Sequence, residues 1–138
     1  RWLVLGHDGE PLGLTGLWDV DWQNRHALTA LKIGGSSSSK RGKGLGTDAI
    51  KLVMAFAFYD VGLQRLHTTV LADNVASRKA YIEKAGWRLE GTARRHVWRH
   101  GQFRDLLHVG VLKEEFDALP DASTYIDLVS ATDSTLTP

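Results

Sequence analysis

The stretch "KRGKGLGTDAIKLVMAFAFYDVGL", residues 40–63, sets a basic, glycine-rich loop directly in front of one long amphipathic pattern. Ile50, Val53, Met54, Ala57, Phe58 and Val61 recur at spacings of three and four, which defines one face of a helix. Thr47 is the expected N-cap, Asp48 suits the positive end of the helix dipole, and Gly62 is placed to stop the helix. A helix with a single apolar face must bury it against another layer, and the chain offers strands on both sides.

Upstream, "RWLVLGHDGEPLGLTGLWDV" reads as two strands around the turn "HDGEP", where Asp8-Gly9 supplies the positive φ that a tight hairpin needs. A third strand is expected over 27–33. The segment "GGSSSS", residues 34–39, has no side chain able to anchor a core and reads as a mobile loop. Downstream, "QRLHTTVLA" is a β-branched strand and "DNVASRKAYIEKAG" a short helix ending at Gly86. "WRLEGTARRHVWR" and "FRDLLHVGVL" then pair as strands joined by "HGQ". The last segment, "PDASTYIDLVSATDSTLTP", is polar and acidic apart from "YIDLV" and reads as a tail or a loosely docked edge strand. The pattern predicts one α/β (α+β) domain, a size that 138 residues with 43% hydrophobic content can fill.

Composition removes several classes of function. Lys and Arg total 17 against 16 Asp and Glu, so no global charge draws the chain to nucleic acid or an anionic membrane. Cysteine is absent, which excludes disulfides, thiolate metal sites and cysteine nucleophiles and suits a reducing cytoplasm. No apolar run approaches the ~20 residues of a membrane span. The six histidines show no metal-ligand spacing, so no metal is expected. The run Arg94, Arg95, His96, Arg99, His100 and Arg104 makes the last hairpin basic, but alternation splits these charges between two faces, as on a solvated surface. The five tryptophans read as core or interface anchors.

Placed between a strand and a helix N-terminus, the glycines of the opening loop let backbone N–H groups converge where the helix dipole adds positive charge, and Arg41 and Lys43 add full charges. Such a loop binds phosphate, and a pyrophosphate better than a carboxylate. A solvated loop with glycines for turning only is the plain alternative. A nucleotide-hydrolase P-loop fits poorly, because Ser39 stands where its second Gly belongs and Arg41 where its Ser/Thr would hold Mg²⁺. Gly44-x-Gly46-x-x-Ala49 matches a dinucleotide fingerprint, but the chain begins with antiparallel strands. The third candidate is Arg41-x-x-Gly44-x-Gly46.

With "RGKGLGTDAIKLVMAFAF", "LADNVASRKAYIEKAGWRLEG" and "HVWRHGQFRDLLHVGVL" in that order, the chain resembles the GCN5-related N-acetyltransferases (GNAT), and most closely the branch of ribosomal-protein N-terminal and spermidine acetyltransferases. The resemblance covers roughly residues 3–116; residues 1–116 would be the acyltransferase domain, with 117–138 a C-terminal extension. It implies a mostly antiparallel sheet split at the acyl-CoA site and flanked by helices, with no counterpart before Arg1 of the family's first strand and two following helices. It also implies direct transfer of an acetyl group from acetyl-CoA to a primary amine of a protein N-terminus or small molecule. Cofactor contacts would come from the strand edge at Leu31 and Ile33, from the loop residues Arg41, Gly42, Lys43, Gly44, Leu45, Gly46 and Thr47, and from Asn74 and Ser77. In an α-helix Asn74, Ser77, Arg78 and Tyr81 share one face, and by resemblance Tyr81 is the general acid that protonates the coenzyme A thiolate. Asn74 also reads as a helix cap.

The branch often carries a Glu near the start of the third strand as a base for the amine; here Leu28 stands there. His26, Asp19 and Asp21 lie nearby, and a solvated turn accounts for each equally well. Trp18 and Trp22 are candidates for an acceptor wall. The acceptor is an amine of unspecified kind, neither a membrane nor nucleic acid is expected as a partner, and homodimers are common in the family. A non-catalytic CoA-binding module or sensor of the same fold is the rival reading.

Overall fold

The computed structural model describes residues 1–6, 8–34 and 44–136. Six strands form one sheet: β1 Trp2–Leu5, β2 Pro11–Asp21, β3 His26–Ile33, β4 Arg65–Leu71, β5 Arg88–Arg99 and β6 Gln102–Leu112, in the order β1-β2-β3-β4-β6-β5. Every neighbouring pair is antiparallel except β3 and β4, which gives the mixed, mostly antiparallel sheet expected from sequence. The first hairpin turns at Gly9, φ 81°, with the Asp8 carboxylate accepting the Glu10 N–H at 3.1 Å. The last turns through His100 and Gly101, both at positive φ (54° and 73°), which matches the twist of the strands it joins.

Helix α1, Leu45–Ala55, runs on into π-helical turns over Phe56–Val61 and stops at Gly62, φ 87°. Its predicted face packs inward: Ile50, Met54, Ala57 and Phe58 join Ala27, Leu66, Val70, Val109 and Val111 in one core. Helix α2, Val75–Arg78, likewise continues as π-helical turns over Lys79–Lys84. It delivers Tyr81, Ala85 and Trp87 to the same core, where the Trp87 indole N–H donates to the Met54 sulfur at 3.3 Å. Helix α3, Lys113–Asp117, adds the wholly buried Phe116, and the Glu115 carboxylate accepts the Leu112 N–H at 2.9 Å to fix its start. All these helices feed the core on one face of the sheet. Side chains alternating to the other face, among them His26, Leu28, Arg65 and His67, are only half-buried.

Three expectations are corrected. The N-cap of α1 is Gly44, not Thr47, because Gly44 at φ 80° turns the chain three residues earlier and places Thr47 inside the first turn. The final segment is neither a tail nor an edge strand; it forms helix α4, Ala122–Leu136, because Ala122, Tyr125, Ile126 and Val129 make a stripe that packs on the core. The single α-helical run through Asn74, Ser77, Arg78 and Tyr81 is interrupted, since Lys79–Lys84 is π-helical; Tyr81 is buried while Asn74 and Arg78 are exposed.

Candidate active site

The parallel ladder between β3 and β4 has three rungs, His26–Arg65, Ala27–Leu66 and Leu28–His67, and then ends, although β3 continues to Ile33 and β4 to Leu71. Both strands stay held from outside: Ile33 still faces Gly13 of β2, and Leu71 faces Leu106 of β6. The seam therefore opens beyond Leu28 and His67. The two chain exits at its wide end lead to the N-termini of α1 and α2, and a Cβ added at Gly46 would touch Leu31 at 3.6 Å.

The first helical bond of α1 runs from the Asp48 N–H to the Gly44 carbonyl, at 2.9 Å, and no side chain caps the helix. The N–H groups of Leu45, Gly46 and Thr47 thus have no helical acceptor, the arrangement that receives an anion. Arg41, Gly42 and Lys43, along with most of the serine-rich loop, lie outside the described residues. Helix α4 braces this turn. The Tyr125 hydroxyl donates to Asp48 at 2.6 Å, the Lys51 ammonium pairs with Asp121 at 2.8 Å, and burial, reinforced by Asp48, pushes the Tyr125 phenol upward.

Asn74 caps α2, its Oδ1 accepting the Ser77 N–H at 3.1 Å, which leaves the amide NH₂ free to donate elsewhere. Arg78 turns back to the Ala72 carbonyl at 3.0 Å. Tyr81 is 5% exposed, with its ring edge-on to Trp87 at 4.9 Å between centroids and no hydrogen bond from its hydroxyl to another described residue. Burial raises its phenol above the ordinary value of 10, so it holds its proton through the neutral range.

The uncovered face of the seam carries a second group of side chains that sequence reasoning only half identified. Trp18, Leu28 and His67 stand opposite one another across β2, β3 and β4 at the last parallel rung. The His67 ring meets the His26 ring edge-on at 5.6 Å, and His26 Nε2 lies 3.7 Å from Asp21, while its buried Nδ1 has no described partner. Arg65 and Glu90 form a two-bond ion pair at 2.6 Å beside them. Burial, then Arg65 and His26, lowers the His67 imidazole below its usual 6.5. No local pattern marks His67; only the register across the β3–β4 crossover brings it next to Leu28.

Other candidates fall elsewhere. Trp22 is exposed, whereas Trp18 lies against Gly16, where a Cβ would meet its ring at 3.2 Å. The basic run is exposed except Arg104, which pairs with Asp73 ahead of Asn74 and so ties the last hairpin to the α2 turn. An apolar cavity of about 650 Å³ between β1, α1 and α4 is lined by Trp2, Leu52, Phe56 and Leu128 and reaches Leu45 and Asp48 in the first turn of α1. Among the described residues no cluster of His, Asp and Glu is arranged to hold a metal, and no helix is long and apolar enough to cross a membrane.

A mixed sheet opened between two parallel strands, with an uncapped helix N-terminus at the opening, defines a fold of the N-acyltransferase class. A family model described as "Acetyltransferase (GNAT) domain" matches residues 1–88, and the chain belongs to that family. It is 35% identical over 109 residues to the Probable N-acetyltransferase YjcK of Bacillus subtilis, covering 78% of this chain and 58% of that one. It is 29% identical over 116 residues to the spermidine N(1)-acetyltransferase of Escherichia coli, covering 84% and 60%. The crystal structure of spermidine N-acetyltransferase from Vibrio cholerae in complex with CoA and spermine shares the fold, with a TM-score of 0.71 at 20% identity over 80% of this chain and 63% of that one. The chain spans roughly three-fifths of the length of these relatives, 58% and 60% for the two curated sequences.

Proposed function

We propose that this chain carries the cofactor site and transfer centre of an N-acetyltransferase that moves an acetyl group from acetyl-CoA directly to a primary amine of a protein N-terminus or small molecule. The observation that carries this reading is the seam between β3 and β4, open beside the N–H groups of Leu45, Gly46 and Thr47, which have no acceptor within the helix. Those amides, with Gly44 and the loop residues Arg41, Gly42 and Lys43, take the pyrophosphate. The backbone of Leu31 and Ile33 meets the peptide-like groups of the pantetheine arm as a neighbouring strand would. Asn74 donates its NH₂ to the arm from the other side and the Ser77 hydroxyl assists, consistent with a cap that uses only the amide oxygen. Tyr81, on the helix side of the sheet, is the general acid in this reading and gives its proton to the departing thiolate. Together these residues support acetyl-CoA as cosubstrate.

The test is titration calorimetry with acetyl-CoA, with ATP and NAD as controls, on the wild type and Arg41→Ala, followed by thiol-release assays over a panel of primary amines. Binding of acetyl-CoA alone, lost in Arg41→Ala, together with turnover of at least one amine is the expected result. Binding without turnover of any amine returns the rival reading of a non-catalytic CoA module. Absence of binding removes the ligand assignment itself.

A further inference from the structure

The transfer reaction needs a group that takes a proton from the acceptor, because an aliphatic amine is an ammonium at neutral pH and has no lone pair to offer. The helices, with Tyr81 and the anion-binding turn, stand on one face of the sheet, so the acceptor approaches a thioester in the seam from the other face. That face is where His26, Leu28 and His67 point. Leu28 cannot accept a proton, but its rung partner is His67, one strand spacing away at the last rung before the seam opens.

Resting on the acetyl-transfer reading above, we propose that His67, set beside His26 at the closed end of the seam, is the general base that deprotonates the acceptor ammonium. One N–H bond of the ammonium breaks and an imidazole N–H forms. The freed electron pair makes the C–N bond at the acyl carbon, and the C–S electron pair leaves with the thiolate. The thiolate takes the Tyr81 proton, and Tyr81 recovers one from the new amide nitrogen. The net products are amide, thiol and one proton, which leaves from His67 to solvent.

The surroundings of His67 suit this task. Arg65 on its own strand and His26 on β3 oppose a positive ring, while Asp19 on β2 and Glu90 on β5 favour it; His108 on β6 lies across from Thr69, next along the same face. Half-burial tips the balance toward the neutral ring, so at pH 7 His67 is ready to accept a proton. Asp21, 3.7 Å from His26, keeps a carboxylate at the outer end of the pair.

The experiment is a pH–rate profile from pH 5 to 9 for the wild type, His67→Gln and His26→Gln, at saturating acetyl-CoA. It uses two acceptors, an aliphatic primary amine and an aromatic amine that is already neutral at pH 7. With the aliphatic amine, the wild type should show an ascending limb in kcat/KM below pH 6.5. His67→Gln should fall by about 10²–10⁴ at pH 7 and regain about tenfold per pH unit as the amine deprotonates itself. On the aromatic amine, and in acetyl-CoA affinity, His67→Gln should stay within about threefold of wild type, because no proton needs removing first. His26→Gln should move the limb upward in pH by removing a positive neighbour. Equal loss on both acceptors, or an unchanged profile in His67→Gln, overturns the assignment while leaving acetyl transfer standing. A wild type that turns over no amine overturns both.

Discussion

Tyr81→Phe separates catalysis from folding at one atom. The ring keeps its edge contact with Trp87 at 4.9 Å and its place in the core, and the lost hydroxyl bonds no other described residue. Stability should therefore change by less than about 1 kcal/mol. The rate effect follows from proton affinities. Removing a general acid costs about 10²–10⁴, but a phenol raised above 10 is a weaker acid than a thiol of about 8.5, so proton transfer to the thiolate runs uphill. The loss should fall in the lower part of that range, about 10²–10³ in kcat, or about 2.7–4.1 kcal/mol at about 1.36 kcal/mol per decade. Thiol release at saturating amine and acetyl-CoA measures kcat, calorimetry measures Kd, and a thermal melt reports folding. With its phenol raised above 10, Tyr81 should also produce no falling limb in the wild-type profile below pH 10. A kcat within about threefold of wild type, or a loss confined to Kd, would refute it.

Phe116→Ala should cost about 3–5 kcal/mol in urea unfolding, because Phe116 is wholly buried and packs at 5.8 Å on Phe58, which makes α3 part of the core. A loss under about 1 kcal/mol would show that α3 docks loosely. Glu90→Gln removes the carboxylate paired with Arg65, whose hydrogen bonds hold Glu90 below 4.5 in the folded state. Its contribution is present above the unfolded value and lost as pH falls through the folded one. The variant should thus be less stable than wild type at pH 7, by no more than about 1 kcal/mol for a pair about one-third exposed, and the gap should close below pH 4.5. A gap that is constant with pH would mean that the effect is not electrostatic.

What the sequence revealed was local. The α1 face, the stop at Gly62, the Asp8-Gly9 hairpin and the Asn74 cap each rest on residues within one turn of each other, where spacing and side-chain chemistry decide the conformation. Helix α4 also had a local signal, the three- and four-residue spacing of Ala122, Tyr125, Ile126 and Val129, which the polar residues between them concealed. Two features were beyond local reading. The π-helical turns over Lys79–Lys84 have no signature in the spacing of "KAYIEK". The pairing of Leu28 with His67 depends on the register of two strands separated by a whole helix.

That register also explains why the seam must stay open. Beyond Leu28 and His67 the facing edges of β3 and β4 share no ladder, although backbone groups inside a sheet are ordinarily paired. Sliding either strand by one residue cannot close the gap. Such a slip would break the outer ladders to β2 and β6 and exchange the two faces, sending buried Thr68 and Val70 outward and drawing His67 and Thr69 into the core. The opening is therefore held by the two outer ladders, and the proposed pantetheine arm, with amide groups of its own, would pair with the open edges. Acetyl-CoA should accordingly slow amide hydrogen exchange along 29–31 and 69–71, while amides in the β5–β6 hairpin tip keep their rates. Equal protection at seam and tip would indicate general stiffening, and none at the seam would mean that the arm does not lie between the strands.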